Sequence, residues 1–92
     1  MSSNGMRPVH PGEILSQEFM KPLGMSILSL AVSMHEPLSE VVRLMECRIS
    51  IDADLAIKLS NVFKNTPEFW MNLQSTYDLR RAQIRRGSMP VS

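Results

Sequence analysis

Prolines at positions 11, 22, 37 and 67 punctuate this chain, and each falls where a helix can open or must soon close. Pro11 suits the first turn of a helix, where its missing N–H costs nothing. Glu13 then favours the positive end of the helix dipole, and Ile14, Leu15 and Phe19 follow at helical spacing before Pro22 and Gly24 close the segment. Ser26 is a good N-cap for a second helix with the stripe Ile27, Leu30, Ala31 and Met34. That helix has to end near Met34, because Pro37 disfavours helical backbone at Glu36. Pro37 can itself open a third helix, at its first position, running to about Glu46. Ser50 is read as the cap of a fourth helix, with Leu55, Ala56, Leu59 and Phe63 on one face and Asp52 and Asp54 near its start. Thr66-Pro67-Glu68 combines a cap, a proline at the first helical position and an acid. It opens a long fifth helix with the apolar face Phe69, Trp70, Leu73 and Tyr77, fading by Gly87. Extended alternation and Asn-Gly or Asp-Gly hairpin signals are missing, which argues against a sheet. The expected class is all-α with five helices, in a domain over 10–86 flanked by a flexible arm at 1–9 and a disordered tail at 87–92.

A chain of 92 residues has room for one modest core. A single cysteine, Cys47, cannot form a disulfide within one chain. With no secretory signal it fits a reducing, cytoplasmic home. No apolar run approaches the roughly 18 residues of a membrane span, so no membrane partner is expected. Homodimerisation is the expected extra source of stability. Net charge is nearly balanced, 10 Lys and Arg against 9 Asp and Glu, which supports nucleic-acid binding only weakly. The basic excess lies at the C-terminus, where Arg80, Arg81, Arg85 and Arg86 face only Glu68 and Asp78. A solvated tail explains that run equally well.

The second and third helices carry the functional suggestion. So short a connection does not fold two helices back antiparallel with ease. It favours a crossing of about 90–120°, the helix-turn-helix arrangement. The later helix can then enter a major groove about 12 Å wide while the earlier one crosses the backbone.

The run His10-Pro11-Gly12-Glu13-Ile14-Leu15 resembles the opening signature of the HigA-type antitoxins, a branch of the Cro/phage-repressor helix-turn-helix superfamily. Leu23-Gly24-Met25-Ser26 with Leu30-Ala31 is similar to that family's second-helix entry, and residues 50–59 resemble its fourth helix. Thr66 to Gln74 with Tyr77-Asp78-Leu79 looks like its closing signature. The resemblance spans roughly residues 8–82. It implies a five-helix lambda-repressor-like domain that dimerises on a palindromic double-stranded operator. It also implies neutralisation of a cognate toxin that cleaves messenger RNA, and repression of the protein's own operon. In the turn the family has Gly where this chain has His35, and a small hydroxyl residue at the cap where it has Pro37. After the third helix the family reads Asn-Gly, and here Glu46-Cys47 stands instead. A glycine in such places commonly serves a positive φ.

Two faces of the third helix are open as the buried one: Leu38, Val41, Val42 and Met45, or Val41, Leu44, Met45 and Arg48. The second matches the superfamily register and leaves Leu38, Ser39, Glu40, Val42 and Arg43 towards the groove. Arg43 can donate two bonds to guanine, Glu40 can accept from cytosine, Ser39 can serve a base or phosphate, and Leu38 or Val42 can meet a thymine methyl. The N–H groups of Ser26, Ile27 and Leu28 can hold a phosphate, and Arg48 and Arg7 are further phosphate candidates. In an arbitrary helix the same residues are a cap and a solvated face.

His10, His35 and Cys47 lack the paired close spacing of a zinc site, so neither metal nor cofactor is expected. No nucleophile stands beside a base and orienter, so catalytic residues are not expected either. Phe69, Trp70, Leu73 and Tyr77 offer more apolar surface than one small domain obviously needs and are assigned in part to a two-fold interface. The alternative reading is a helical interaction module that binds a protein partner such as the toxin and has little or no DNA binding. The acid-rich centre, His35 and Pro37 motivate it.

Overall fold

A computed structural model describes residues 7–87, which form five helices and no strand. Most of the expected arm and of the expected tail, residues 1–6 and 88–92, lies outside the described residues. The end of the arm is held: the Arg7 guanidinium donates to both oxygens of Glu13 at 3.2 and 2.9 Å, and Pro8 and Val9 are half-buried.

Helix α1 occupies residues 11–23 as three consecutive pieces: an α-helical Pro11–Ile14, a π-helical Leu15–Met20 and an α-helical Lys21–Leu23. The His10 ring, not a hydroxyl or carboxylate, is the cap, with Nδ1 accepting from the Gly12 N–H at 2.9 Å. In a regular α-helix the Pro22 ring would press on the carbonyl four residues back, and the wider π turns lie just ahead of it. Gly24, at φ 62°, ends the helix in the left-handed region that a glycine occupies without strain.

Helix α2 is Ile27–Met34, with Ser26 Oγ accepting from the Ser29 N–H at 3.0 Å as expected. Helix α3 is Leu38–Met45. Pro37 is its cap residue, in extended backbone, rather than its first helical residue. Helix α4 is Ala53–Phe63, and its cap is Asp52, whose Oδ1 accepts from the Leu55 N–H at 2.9 Å. Ser50, expected in that role, lies two residues too early and is exposed. Between the two, Ile51 is drawn into the core and its N–H donates to the buried Gln74 Oε1 at 2.7 Å. Helix α5, Pro67–Arg85, is capped by Thr66, which accepts from the Phe69 N–H.

The helices share one core of Leu15, Leu30, Met34, Val41, Leu44, Ile51, Leu59 and Trp70, with α5 lying along α4 and α1 wedged between α5 and α3. Trp70 corrects the expected assignment. It has no exposed surface, its indole N–H donates to Asn65 Oδ1 at 2.8 Å, and Phe19, Phe63 and Phe69 surround it at 4.9, 6.0 and 5.0 Å between ring centroids. Each such aromatic pair is worth about 0.5–1.5 kcal/mol beyond burial. A side chain spent in this way has nothing to offer a second protomer.

Candidate nucleic-acid interface

The turn between α2 and α3 is tight because His35 takes the left-handed conformation, φ 58° and ψ 41°. There its N–H reaches the Val32 carbonyl at 3.2 Å and the Glu36 N–H reaches the Ala31 carbonyl at 3.0 Å. This is the position where the resembled family has glycine, and the backbone keeps the glycine-like geometry. A non-glycine residue pays about 1–2 kcal/mol for it, although histidine tolerates the region better than most side chains. Cys47, at the second such position, is likewise left-handed at φ 61°. The strain at the turn is held by α4. Glu36 is mostly buried and its carboxylate accepts from the Lys58 ammonium, which also pairs with Asp54 at 3.3 Å. Those two bonds hold Lys58 firmly in its charged form, raising its pKa above the ordinary value.

Helix α3 rests on Val41 and Leu44, with Met45 half-buried. Leu38 is exposed, which selects the superfamily register over its competitor. Ser39 and Arg43 are exposed beside it, and Glu40 and Val42 are half-buried. Arg43 Nη1 donates to Glu40 Oε2 at 3.2 Å, so the guanidinium is already oriented along the helix. Between two half-exposed side chains that pair contributes at most about 1 kcal/mol, little enough to be exchanged for a base or phosphate. Arg48 departs from the expected buried stripe. It lies beyond the end of α3, exposed, with its guanidinium 3.3 Å from Glu46. At the start of α2, Ser26 is committed to its cap bond while Ile27 and Leu28 keep exposed side chains. The structure thus brings Leu38, Ser39, Glu40, Val42 and Arg43 together on one helix and leaves Ser26, Ile27, Leu28 and Arg48 at separate places around the same pair of helices.

Two features of this surface were not assigned from sequence. Gly12 packs so closely on the last turn of α3 that a Cβ there would lie 2.1 Å from the Leu44 carbonyl oxygen. His10, 5% exposed, bonds through its other ring nitrogen, Nε2, to the Ile49 carbonyl at 2.9 Å. Tyr77 meets the imidazole edge-on at 4.8 Å. Burial pushes the imidazole pKa down, more than the Ile49 bond and Asp78 push it up. The His-Pro-Gly-Glu signature marked both residues, but only as a family feature. Their partners lie more than 30 residues away, beyond the reach of a periodicity argument. Among the described residues no three His, Cys, Asp or Glu side chains come together as a metal site would require, and no helix is long and apolar enough to cross a membrane.

No protein-family model matches the sequence. Antitoxin HigA-1 of Vibrio cholerae serotype O1 is 39% identical over 79 residues, which cover 86% of this chain and 74% of that protein. The chain belongs to the HigA antitoxin family of helix-turn-helix regulators. Solved structures agree with this placement. Antitoxin GraA superposes with a TM-score of 0.85 at 43% identity, covering 88% of this chain and 87% of that one. The Pseudomonas aeruginosa antitoxin HigA, solved with the higBA promoter, superposes with a TM-score of 0.85 at 36% identity, covering 94% of this chain and the whole of that one. The resemblance of the flanking signatures therefore extends to the fold as a whole. Membership of the HigA family also places the chain among transcriptional regulators and not among enzymes.

Proposed function

We propose that this chain is a DNA-binding antitoxin that neutralises a cognate mRNA-cleaving toxin and represses its own operon, acting as a homodimer in the cytoplasm. The observation that carries the reading is the presentation of α3. Val41 and Leu44 anchor it while Leu38, Ser39 and Arg43 project from the α2–α3 pair of a fold shared with an antitoxin solved with its promoter. Arg43 is the base reader, with Glu40 orienting it until DNA is met. Ser39 and Val42 flank it, and the first N–H groups of α2, at Ser26, Ile27 and Leu28, take a phosphate. Arg48 is a further phosphate contact. The dimer contact runs along α5 on what Phe69, Leu73 and Tyr77 leave uncovered, extended by the exposed Ile84. Two α3 helices with centres about 34–36 Å apart then meet successive major grooves.

A gel-shift titration with a duplex from the promoter upstream of the chain's own gene, at about 0.1 M salt, tests the reading, because phosphate contacts still operate there while weak nonspecific binding fades. A retarded complex that survives excess competitor DNA is expected, and its absence would overturn repression.

A further inference from the structure

The segment leading from α3 to α4 is fastened to the start of α1 by His10. The two partners of its ring fix the tautomer. The Gly12 N–H is a donor, so Nδ1 is bare and accepts at 2.9 Å, and the Ile49 carbonyl is an acceptor, so Nε2 carries the proton and donates at 2.9 Å. Two residues further along, Gly12 lies against the Leu44 carbonyl at the end of α3. Arg48, next to Ile49, is among the proposed phosphate contacts. One neutral ring therefore ties the N-terminus of α1 to the exit of the recognition helix.

We propose that His10 is a positioning residue for operator reading, whose neutral ring holds the exit of α3 in its DNA-ready place and whose protonation releases it. The idea rests on the operator reading above. Protonation puts a second N–H on Nδ1, facing the Gly12 N–H, so an accepting bond becomes a donor–donor clash. The ring cannot turn out to water, being almost fully buried between α1, the α3–α4 segment and α5. The groups that face it are Glu13 of α1 with its partner Arg7, the Ile49 carbonyl, and Tyr77, Asp78 and Arg81 of α5. Asp78 and Glu13 favour the charged ring and Arg81 opposes it, while burial outweighs them all. Neutral His10 is thus the form the fold selects: it is complete at the ordinary histidine pKa of about 6.5 and is lost only as pH falls through the lowered value that burial gives the folded protein.

The sign distinguishes this device from ordinary electrostatics. A proton gained by an exposed side chain near phosphates strengthens DNA binding, whereas protonating the buried His10 weakens it. The test measures affinity for the promoter duplex by fluorescence anisotropy from pH 7.5 to 5.0, with circular dichroism confirming the fold at each pH. Wild type and His35→Asn should both lose affinity as pH falls from 6.5 to 5.0, and one proton limits the slope to about tenfold per pH unit. His10→Gln, whose amide can still donate towards Ile49 but carries no ring to protonate, should lose the pH dependence whatever its affinity at pH 7.5. His10→Asn, which can cap Gly12 but is too short for Ile49, should bind more weakly at every pH. A wild-type affinity that stays level or rises as pH falls overturns the proposal. So does a fall that persists in His10→Gln or disappears in His35→Asn. Lack of specific binding at pH 7.5 overturns the operator reading and this proposal together, whereas binding at pH 7.5 without loss at pH 5.0 overturns this one alone.

Discussion

Replacing Gly12 with Ala is a sharp test of how α1 is seated on α3. A Cβ at this position would lie 2.1 Å from the Leu44 oxygen and 3.2 Å from the Leu44 carbonyl carbon, where ordinary contact begins at 3.4 Å. The obstacle is backbone, so no side chain can swing aside. The end of α3 or the start of α1 would have to move by about 1.3 Å to make room. His10 Nδ1, at 3.1 Å from the same point, closes the other side. Overpacking of this kind costs about 1–3 kcal/mol, and backbone on one side puts it at the upper end. Alanine returns less than about 1 kcal/mol in helix propensity, since the position is in the first turn. The net loss is about 2 kcal/mol, which for a domain of this size lowers the melting temperature by roughly 8–16 °C. Thermal melts followed by circular dichroism and by the fluorescence of buried Trp70 give the value. The contrast is Gly24→Ala, where a Cβ meets nothing within 4 Å and only the φ of 62° penalises the change, for a loss of about 1 kcal/mol. If Gly12→Ala melted within about 2 °C of wild type, the close seating of α1 on the recognition helix would be refuted.

Two further substitutions check other parts of the account. Asp52→Ala removes the α4 cap and should cost about 1 kcal/mol in urea unfolding, while Ser50→Ala should stay within about 0.5 kcal/mol of wild type; the reverse order would restore Ser50 as the cap. Arg43→Ala should weaken binding to the promoter duplex by roughly 5- to 150-fold, the equivalent of about 1–3 kcal/mol for a bidentate base contact. Binding to unrelated duplex should change far less, and equal losses on both would make Arg43 a phosphate contact instead.

Much of the fold is legible in the sequence because its boundaries are set by local chemistry. Ser26, Thr66 and Pro67 act through hydrogen bonds and ring geometry within one turn of the chain, so their meaning does not depend on what packs against them. Ser50 misleads for the opposite reason. It is a good cap in isolation, but the core takes Ile51, and the chain straightens one residue later at Asp52. The apolar face of α5 is legible as a face but not as to what it covers. Phe19 comes from α1 and Phe63 from α4, and no spacing within α5 says that they enclose Trp70. The register of α3 follows the superfamily pattern, with Leu38 exposed and Leu44 buried, whereas Arg48 falls outside the helix whose face it was read on. His35 and Cys47 carry no conformational signal of their own. Their left-handed backbone is visible only against a family that has glycine in those places. The Lys58–Glu36 pair that steadies the turn and the His10–Ile49 bond are both long-range contacts, out of reach of any local spacing.

The central claim is that α3 of a two-fold dimer reads an operator, and a hydroxyl-radical footprint on the protein's own promoter tests it most directly. The account predicts two protected half-sites on one face of the duplex, related by an inverted repeat and about one helical turn of 10–10.5 base pairs apart, both lost in the Arg43→Ala variant at the same protein concentration. Protection spread evenly along the duplex, or two unchanged half-sites in Arg43→Ala, would contradict it.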